Sequence, residues 1–307
     1  MVSDQPKRDS GANPVVPGSP IRTAVIPAAG QGTRMLPATK AVPKELLPIL
    51  ERPAIQYIVD EALGAGVDHL VIVTSRSKPA IEHYFAPSPD VERILVAQGR
   101  VSLAEQLGRF GRDVRVTFAY QDAPRGLGHA VSCAREAVGD APFFVMLPDE
   151  LMEDSSLLAV LGGLLATSGT GAVALKRVPA DETRRYGIVT PVGGSRDVEG
   201  WETIPMARIV EKPTSDPPSD LAIIGRYALT PDIFDDLDRI GVGSSGEIQL
   251  TDALSRQAER SPLHGVVTRI GRRDVGNPLG WIEAVIEAGL AHEEIGPHLR
   301  AWLRDGL

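Results

Sequence analysis

The sequence predicts an α/β fold: a mixed, mainly parallel sheet flanked by helices, with a smaller mixed-sheet extension. Three observations carry that expectation. Apolar runs such as Thr23–Ala29 and His69–Thr74 lack polar alternation, as strands buried on both faces do. Segments of helical period separate these runs through the first half of the chain. After Asp149 the rhythm changes, and strands follow one another with fewer helices between them.

The elements follow in order. Residues 1–20 hold four prolines, two glycines and no aromatic residue, the composition of a disordered tail, so order is expected from Ile21. The run from Thr23 is a buried strand leading into a glycine-containing loop. Pro53 suits the first position of a helix, and Ile55, Ile58, Val59, Ala62 and Leu63 line one face of it before Gly64 and Gly66 end it. A strand at 69–74, a helix near 78–84, one long helix over 91–110, a strand at 114–120, a helix over 126–138 and a strand at 142–147 continue the alternation. Ser155–Leu175 contains no Asp, Glu, Lys or Arg, but Thr167-Ser-Gly-Thr-Gly171 has turn composition. The stretch therefore reads as helix, turn and buried strand and not as a membrane span. Strands at 173–178, 187–191, 207–210 and 223–229 form the extension. Helices at 231–239 and 247–259, a strand at 266–270 and a helix at 279–292 complete a Rossmann-like unit over 21–307.

The chain has 307 residues, 32 basic and 40 acidic, giving a net charge of −8. That balance argues against a nucleic-acid or anionic-membrane binder acting through bulk charge. A polyanionic ligand would need local cations, backbone amides or a metal ion. One cysteine, Cys133, excludes an internal disulfide framework and any multi-cysteine metal site. With no apolar leader segment at its start, the chain is expected in a reducing, cytoplasmic setting.

The most informative segment is Ala28-Ala-Gly-Gln-Gly-Thr-Arg34, continuing through Met35-Leu-Pro-Ala-Thr-Lys-Ala-Val-Pro-Lys44. Gly30 and Gly32 lack Cβ, so positive φ and close backbone approach are open to them. Consecutive N–H groups there form an anion nest. Arg34 offers a fork of donors to phosphate and Lys44 a compact positive charge. A bare Gly-x-Gly would read as a turn among solvated charges; the full string directly after the first strand reads as a phosphate loop. Gly241-Val-Gly-Ser-Ser-Gly246 matches a dinucleotide fingerprint but follows a helix instead of a first strand, so it is rejected. No P-loop string is present.

The segment resembles the signature of the sugar nucleotidyltransferases, and Pro43-Lys44-Glu45 with Lys40 resembles their bacterial UTP–glucose-1-phosphate uridylyltransferase branch. Further matches recur in order: Gln121 with Gly126-Leu-Gly-His-Ala130, Leu147-Pro-Asp149, Val210-Glu-Lys-Pro213, Gly225-Arg-Tyr227, Gly246-Glu-Ile-Gln-Leu-Thr-Asp252, and Asp274 with Gly276-Asn277. The resemblance covers the chain from Ile21 onward. It implies a nucleotide-diphospho-sugar transferase type of fold, with 21–150 the nucleotide-binding half and 151–307 holding the sugar phosphate.

It also implies the reaction of UTP with α-D-glucose 1-phosphate to give UDP-glucose and pyrophosphate, assisted by Mg²⁺. The attacking phosphate is already ionised, so the protein's task is positioning and charge neutralisation rather than base catalysis. Arg34 and Lys44 are expected to hold the triphosphate and Lys212 the sugar phosphate; alone, Lys212 would read as a solvated lysine beside a proline turn. Asp149 lies past the carboxyl end of a strand, where open sheets bind ligands. Its carboxylate suits Mg²⁺, and its other reading is a helix cap. Asp274 is implied as a second acidic group near the metal. Gln121 is expected to read the uracil edge, the alternative being a buried amide satisfied by backbone. The resemblance adds Ala29, Gly30, Gly32, Thr33 and Gly126 around the nucleotide, with Gly187 and Glu211 at the glucose. His129 is read as structural, and Glu150 as substrate-facing or solvated. Asp149→Asn is expected to abolish activity and leave the fold intact. Relatives imply a homodimer or homotetramer. A dTTP-using transferase and a catalytically inactive UDP-sugar-binding regulator are the alternatives.

Overall fold

The computed structural model describes residues 21–243 and 246–306. The expected tail at 1–20 lies outside them, as do Ser244 and Ser245 of the rejected glycine fingerprint. Apart from a short hairpin of Pro48–Ile49 with Arg52–Pro53, the strands are β1 (Thr23–Pro27), β2 (His69–Thr74), β3 (Arg115–Tyr120), β4 (Phe143–Met146), β5 (Glu150–Met152), β6 (Ala172–Arg177), β7 (Gly187–Pro191), β8 (Arg196–Val198), β9 (Trp201–Glu211), β10 (Leu221–Leu229), β11 (Leu263–Val267) and β12 (Arg272–Asp274). The helices are α1 (Ala54–Gly64), α2 (Pro79–Phe85), α3 (Pro89–Ala97), α4 (Val101–Gly108), α5 (Leu127–Ser132), α6 (Arg135–Val138), α7 (Ser156–Ser168), α8 (Ile233–Arg239), α9 (Leu250–Arg260), α10 (Pro278–Ala291) and α11 (Ile295–Gly306).

One sheet runs through both halves, in the order β8-β9-β11-β6-β10-β4-β1-β2-β3, with β7 pairing against β9 and β10. The parallel part is β4-β1-β2-β3 together with the β11–β6 pair. The second half is otherwise antiparallel, because β10 returns against both β4 and β6. Side chains of period two sort the core onto the two faces. Ile26, Leu70 and Ile72 pack with α1 and α7 on one face. Val25, Val71 and Val73 pack with α5, α8 and α9 on the other.

Several expectations are corrected in detail. The long helix over 91–110 is two helices, α3 and α4, broken where Gly99 adopts φ +76°. The helix over 126–138 is likewise two, α5 and α6. Pro53 sits just outside α1 in extended conformation (ψ 150°) and ends the preceding chain direction instead of occupying the first helical position. The strand expected at 266–270 lies at Leu263–Val267. The terminal helix α11, with a strongly amphipathic sequence, went unread. The uncharged stretch is helix α7, a left-handed Gly169 and strand β6. No helix among the described residues is long and apolar enough to cross a membrane.

A buried ion pair holds the centre of the molecule. Arg226 of β10, fully enclosed, donates to both carboxylate oxygens of Glu61 on α1 at 2.9 and 2.6 Å. The same guanidinium donates to the carbonyls of Leu147 at 3.2 Å and Glu150 at 2.5 Å. Those carbonyls flank Asp149, so the pair fixes the acidic loop after β4 as well as the helix–sheet contact.

Candidate active site

A cleft of about 760 Å³ opens beyond the carboxyl ends of β1 and β4, where parallel strands direct their loops outward. Of the residues singled out from sequence, Ala29, Gly30, Gly32, Thr33, Arg34 and Gln121 line its first half. Gly126, Asp149, Gly187, Glu211, Lys212 and Asp274 line the rest. Lys44 stands behind this wall, bonded through Nζ to Asp149 Oδ2.

The loop after β1 is held from both ends. Ala28 N–H donates to Val73 O at 2.7 Å, continuing the ladder with β2. Lys78, at the start of α2, donates from Nζ to Ala28 O at 2.8 Å and to Glu45 Oε2 at 3.0 Å. Glu45 is buried and adjoins Lys44, so the Lys78–Glu45 pair ties the start of the glycine loop to the segment carrying Lys44. Gly32 occupies the left-handed region, φ +64°. Gly30 does not use that freedom, and a Cβ there would meet no protein atom within 4 Å.

The acidic corner is assembled by a two-stranded ladder. β5 pairs with β12 so that Asp274 faces Glu150 across the strands, and Val275 N–H donates to Asp149 O at 2.8 Å. A Cβ placed on Gly276 would lie 2.6 Å from Asp149 Oδ2 and 3.1 Å from Asp274 Oδ1. The two carboxylates therefore converge on one small region. Among the described residues no group of three or more His, Cys, Asp or Glu side chains is placed to hold a metal ion. Asp149 Oδ2 accepts from Lys44 and Asp274 Oδ1 from the Gly276 N–H, and both carboxylates border the cleft, so each has a second hard oxygen to offer a divalent cation whose shell substrate phosphates and water would complete.

Asp149 and its partner are mostly enclosed: the Asp149 side chain is 19 % exposed and that of Lys44 16 %. Burial alone would raise the Asp149 carboxyl; the Lys44 ammonium, and more distantly Arg34 at 4.0 Å, outweigh it and hold the group below its ordinary range. No side-chain cap to α7 comes from Asp149; Asp154 Oδ1 accepts the Ser156 N–H at 2.8 Å. Glu150 lines the cleft but is buried, so it is not a solvated residue. Its buried carboxylate is taken by Arg272, including Nη2 to Oε1 at 2.5 Å, and the Arg272 guanidinium lies 5.6 Å from the centre of the Tyr186 ring.

The second half of the cleft follows the end of β9. Lys212 adopts φ +45° and donates its N–H to Tyr186 O at 2.9 Å. That left-handed turn is disfavoured by about 1 kcal/mol for a residue with a Cβ. It brings Lys212 Nζ within 3.3 Å of Glu211 Oε1. Thr251 Oγ1 donates to the other Glu211 oxygen at 3.0 Å. A Cβ on Gly187 would lie 2.8 Å from Thr251 Cγ2, so the backbone passes there only without a side chain. Sequence reasoning passed over Arg185, Tyr186, Glu247, Thr251 and Arg272, which also line the cleft. Three of these lay inside or beside strings already singled out: Glu247 and Thr251 in Gly246–Asp252, and Tyr186 before Gly187. Arg185 carried no signal; it stands 4.0 Å from Asp274.

Gly126 makes the turn into α5 with φ +97° and ψ 174°, a region essentially reserved for glycine. A Cβ there would lie 2.7 Å from Ile248 O. Gly126→Ala is expected to destabilise the fold by about 1–3 kcal/mol and to raise the KM for nucleotide, read from urea unfolding and steady-state kinetics. Unchanged unfolding would remove the strain argument.

Comparison with known proteins supplies the family. The nucleotidyl transferase family model matches residues 23–289. The chain is 42 % identical over 281 residues to UTP–glucose-1-phosphate uridylyltransferase of Bacillus subtilis (strain 168), covering 91 % of this chain and 94 % of that protein. A UTP-bound UGPase structure from Acinetobacter baumannii superposes with a TM-score of 0.83 at 36 % identity, covering 93 % of this chain and 99 % of that one. A UDP-glucose pyrophosphorylase complexed with UDP-glucose gives a TM-score of 0.74 at 37 % identity, over 86 % of this chain and 97 % of that one. With its glycine loop, paired carboxylates and Glu-Lys turn lining one cleft, the chain belongs to the nucleotidyl transferase family, in its UTP–glucose-1-phosphate uridylyltransferase branch.

Proposed function

We propose that the cleft transfers the uridylyl group of UTP to α-D-glucose 1-phosphate, releasing pyrophosphate and forming UDP-glucose. The observation that carries this reading is the meeting of the glycine loop, Asp149, backed by its Lys44 partner, and the Glu211–Lys212 turn on one cavity. A sugar-phosphate oxygen forms the new bond to the α-phosphorus as the bond to the pyrophosphate oxygen breaks. No general base is needed. Ala29, Gly30, Gly32 and Thr33 bring backbone to the nucleotide, and Arg34 and Lys44 neutralise the triphosphate and departing pyrophosphate. Lys212 meets the sugar phosphate, Glu211 accepts from glucose hydroxyls, and Gly187 leaves room for the sugar. Gln121 and Gly126 face the uracil. Asp149 and Asp274 would hold Mg²⁺, which supplies charge neutralisation for the phosphates when bound.

The test is pyrophosphate release with Mg²⁺, pairing UTP or dTTP with glucose 1-phosphate or galactose 1-phosphate. Fast release confined to UTP and glucose 1-phosphate is expected. Equal turnover of dTTP would overturn the uridine assignment, and UDP-glucose binding without turnover would favour the regulator. Arg34, 60 % exposed and with no partner among the described residues beyond the 4.0 Å approach to Asp149, separates catalysis from folding. Arg34→Ala is expected to slow release about 10²–10³-fold with no change in melting temperature; an effect on melting alone would make Arg34 structural.

A homo-oligomer in the cytoplasm completes the reading. The exposed Leu279, Ile282 and Ile286 on α10 and Trp302 on α11 supply apolar surface for self-association, and sedimentation measures it.

A further inference from the structure

We propose that His129, which lines no part of the cleft, positions Gln121 so that its carbonyl oxygen alone faces the base, making the site selective for a pyrimidine that carries an N3–H over cytosine. The proposal rests on Gln121 being the base-facing residue.

Gln121 follows β3, and its backbone N–H donates to Thr74 O at 2.9 Å. Its side chain is buried at 6 % exposure and borders the cleft. The amide nitrogen lies 3.1 Å from Gly126 O and 3.0 Å from His129 Nδ1. A backbone carbonyl only accepts, so the amide must turn its NH₂ toward Gly126. The second N–H then meets His129, and the bond exists only if Nδ1 is the bare nitrogen of a neutral ring. Burial, reinforced by the Arg125 guanidinium and opposed by Asp122, holds His129 below its ordinary range and so neutral. Both Gln121 donors are thus occupied. The amide is left only to accept from the base.

What remains is Oε1, to which no side chain or backbone group donates among the described residues. An acceptor there pairs with the N3–H of uracil or thymine and opposes the N3 lone pair of cytosine. One acceptor, Gly126 O, would hold the amide loosely; a second on the same nitrogen doubles what is lost when the amide flips. His129 therefore acts on the base through Gln121, without touching it.

The experiment compares UTP and CTP as substrates with glucose 1-phosphate in wild-type protein, His129→Phe, His129→Gln and Gln121→Ala. Each ratio is internal to one preparation, so partial misfolding lowers both rates and leaves the ratio unmoved. His129→Phe keeps the bulk without the acceptor. It is expected to cut the UTP-over-CTP preference about tenfold, the worth of one such hydrogen bond. The change should fall on the KM for UTP rather than on kcat. His129→Gln, whose amide oxygen can accept, should recover most of the preference. In the wild-type protein, ¹⁵N spectra should show an unprotonated, hydrogen-bonded Nδ1.

A preference unchanged in His129→Phe but lost in Gln121→Ala overturns the role of His129 and leaves Gln121 in place. A preference unchanged in Gln121→Ala overturns the reading of Gln121 itself. A protonated Nδ1 in the native protein overturns the lock directly.

Discussion

Asp149→Asn is expected to slow pyrophosphate release by at least about 10²–10³-fold, the order seen when one preorganised charged contact to the reacting phosphates is removed. The substitution keeps shape and deletes the charge that the Lys44 ammonium holds ionised. Stability changes with it, contrary to the expectation from sequence that only activity would respond. Lys44, 16 % exposed, would lose its bonded partner, and a charged group left unpaired in that setting costs about 1–3 kcal/mol. The double variant Lys44→Met with Asp149→Asn should regain most of the stability and none of the activity. Full activity in Asp149→Asn would remove the residue from the mechanism, and an unchanged urea midpoint would show that the Lys44 pair contributes nothing to folding.

The second large effect concerns stability. Arg226→Met is expected to lower the unfolding free energy by about 3–5 kcal/mol, because Glu61 then remains buried without its counter-charge. Arg226 is fully enclosed and Glu61 has only 4 % of its side chain exposed, so solvent screens neither. Replacing both, as Glu61→Leu with Arg226→Met, should cost much less, since no lone charge is then buried. The same single variant frees the carbonyls of Leu147 and Glu150 on either side of Asp149. A loss of activity should therefore accompany the loss of stability even at temperatures where the variant is folded. A single-variant loss below about 1 kcal/mol would mean that the pair is not what holds α1 to the sheet.

Local pattern made the first half of the fold legible. The strands β1, β2 and β4 are unbroken apolar runs, and α1 carries its apolar face at helical spacing, so burial on both faces of a parallel sheet follows from composition alone. The breaks in 91–110 and 126–138 were not legible, because a glycine or a short turn inside an apolar period leaves the period intact. The amphipathic α11 was passed over beyond the last recognised string.

Of the site, the residue types and their order along the chain were readable: a glycine loop with Arg34 and Lys44 after the first strand, Asp149 after a later one, and Glu211-Lys212 before a proline. These are contiguous features, and their chemistry follows from backbone freedom and charge. Which groups stand next to which was decided only by the tertiary structure. Asp274 reaches Asp149 because β12 pairs with β5, Lys44 is paired with Asp149, and the Glu150 carboxylate is taken by Arg272. Gln121 is left with an acceptor because Gly126 and His129 take its donors. A sequence states what each side chain can donate, accept or neutralise; burial and the nearest partner, which only the folded chain supplies, determine which of those capacities is left for a ligand.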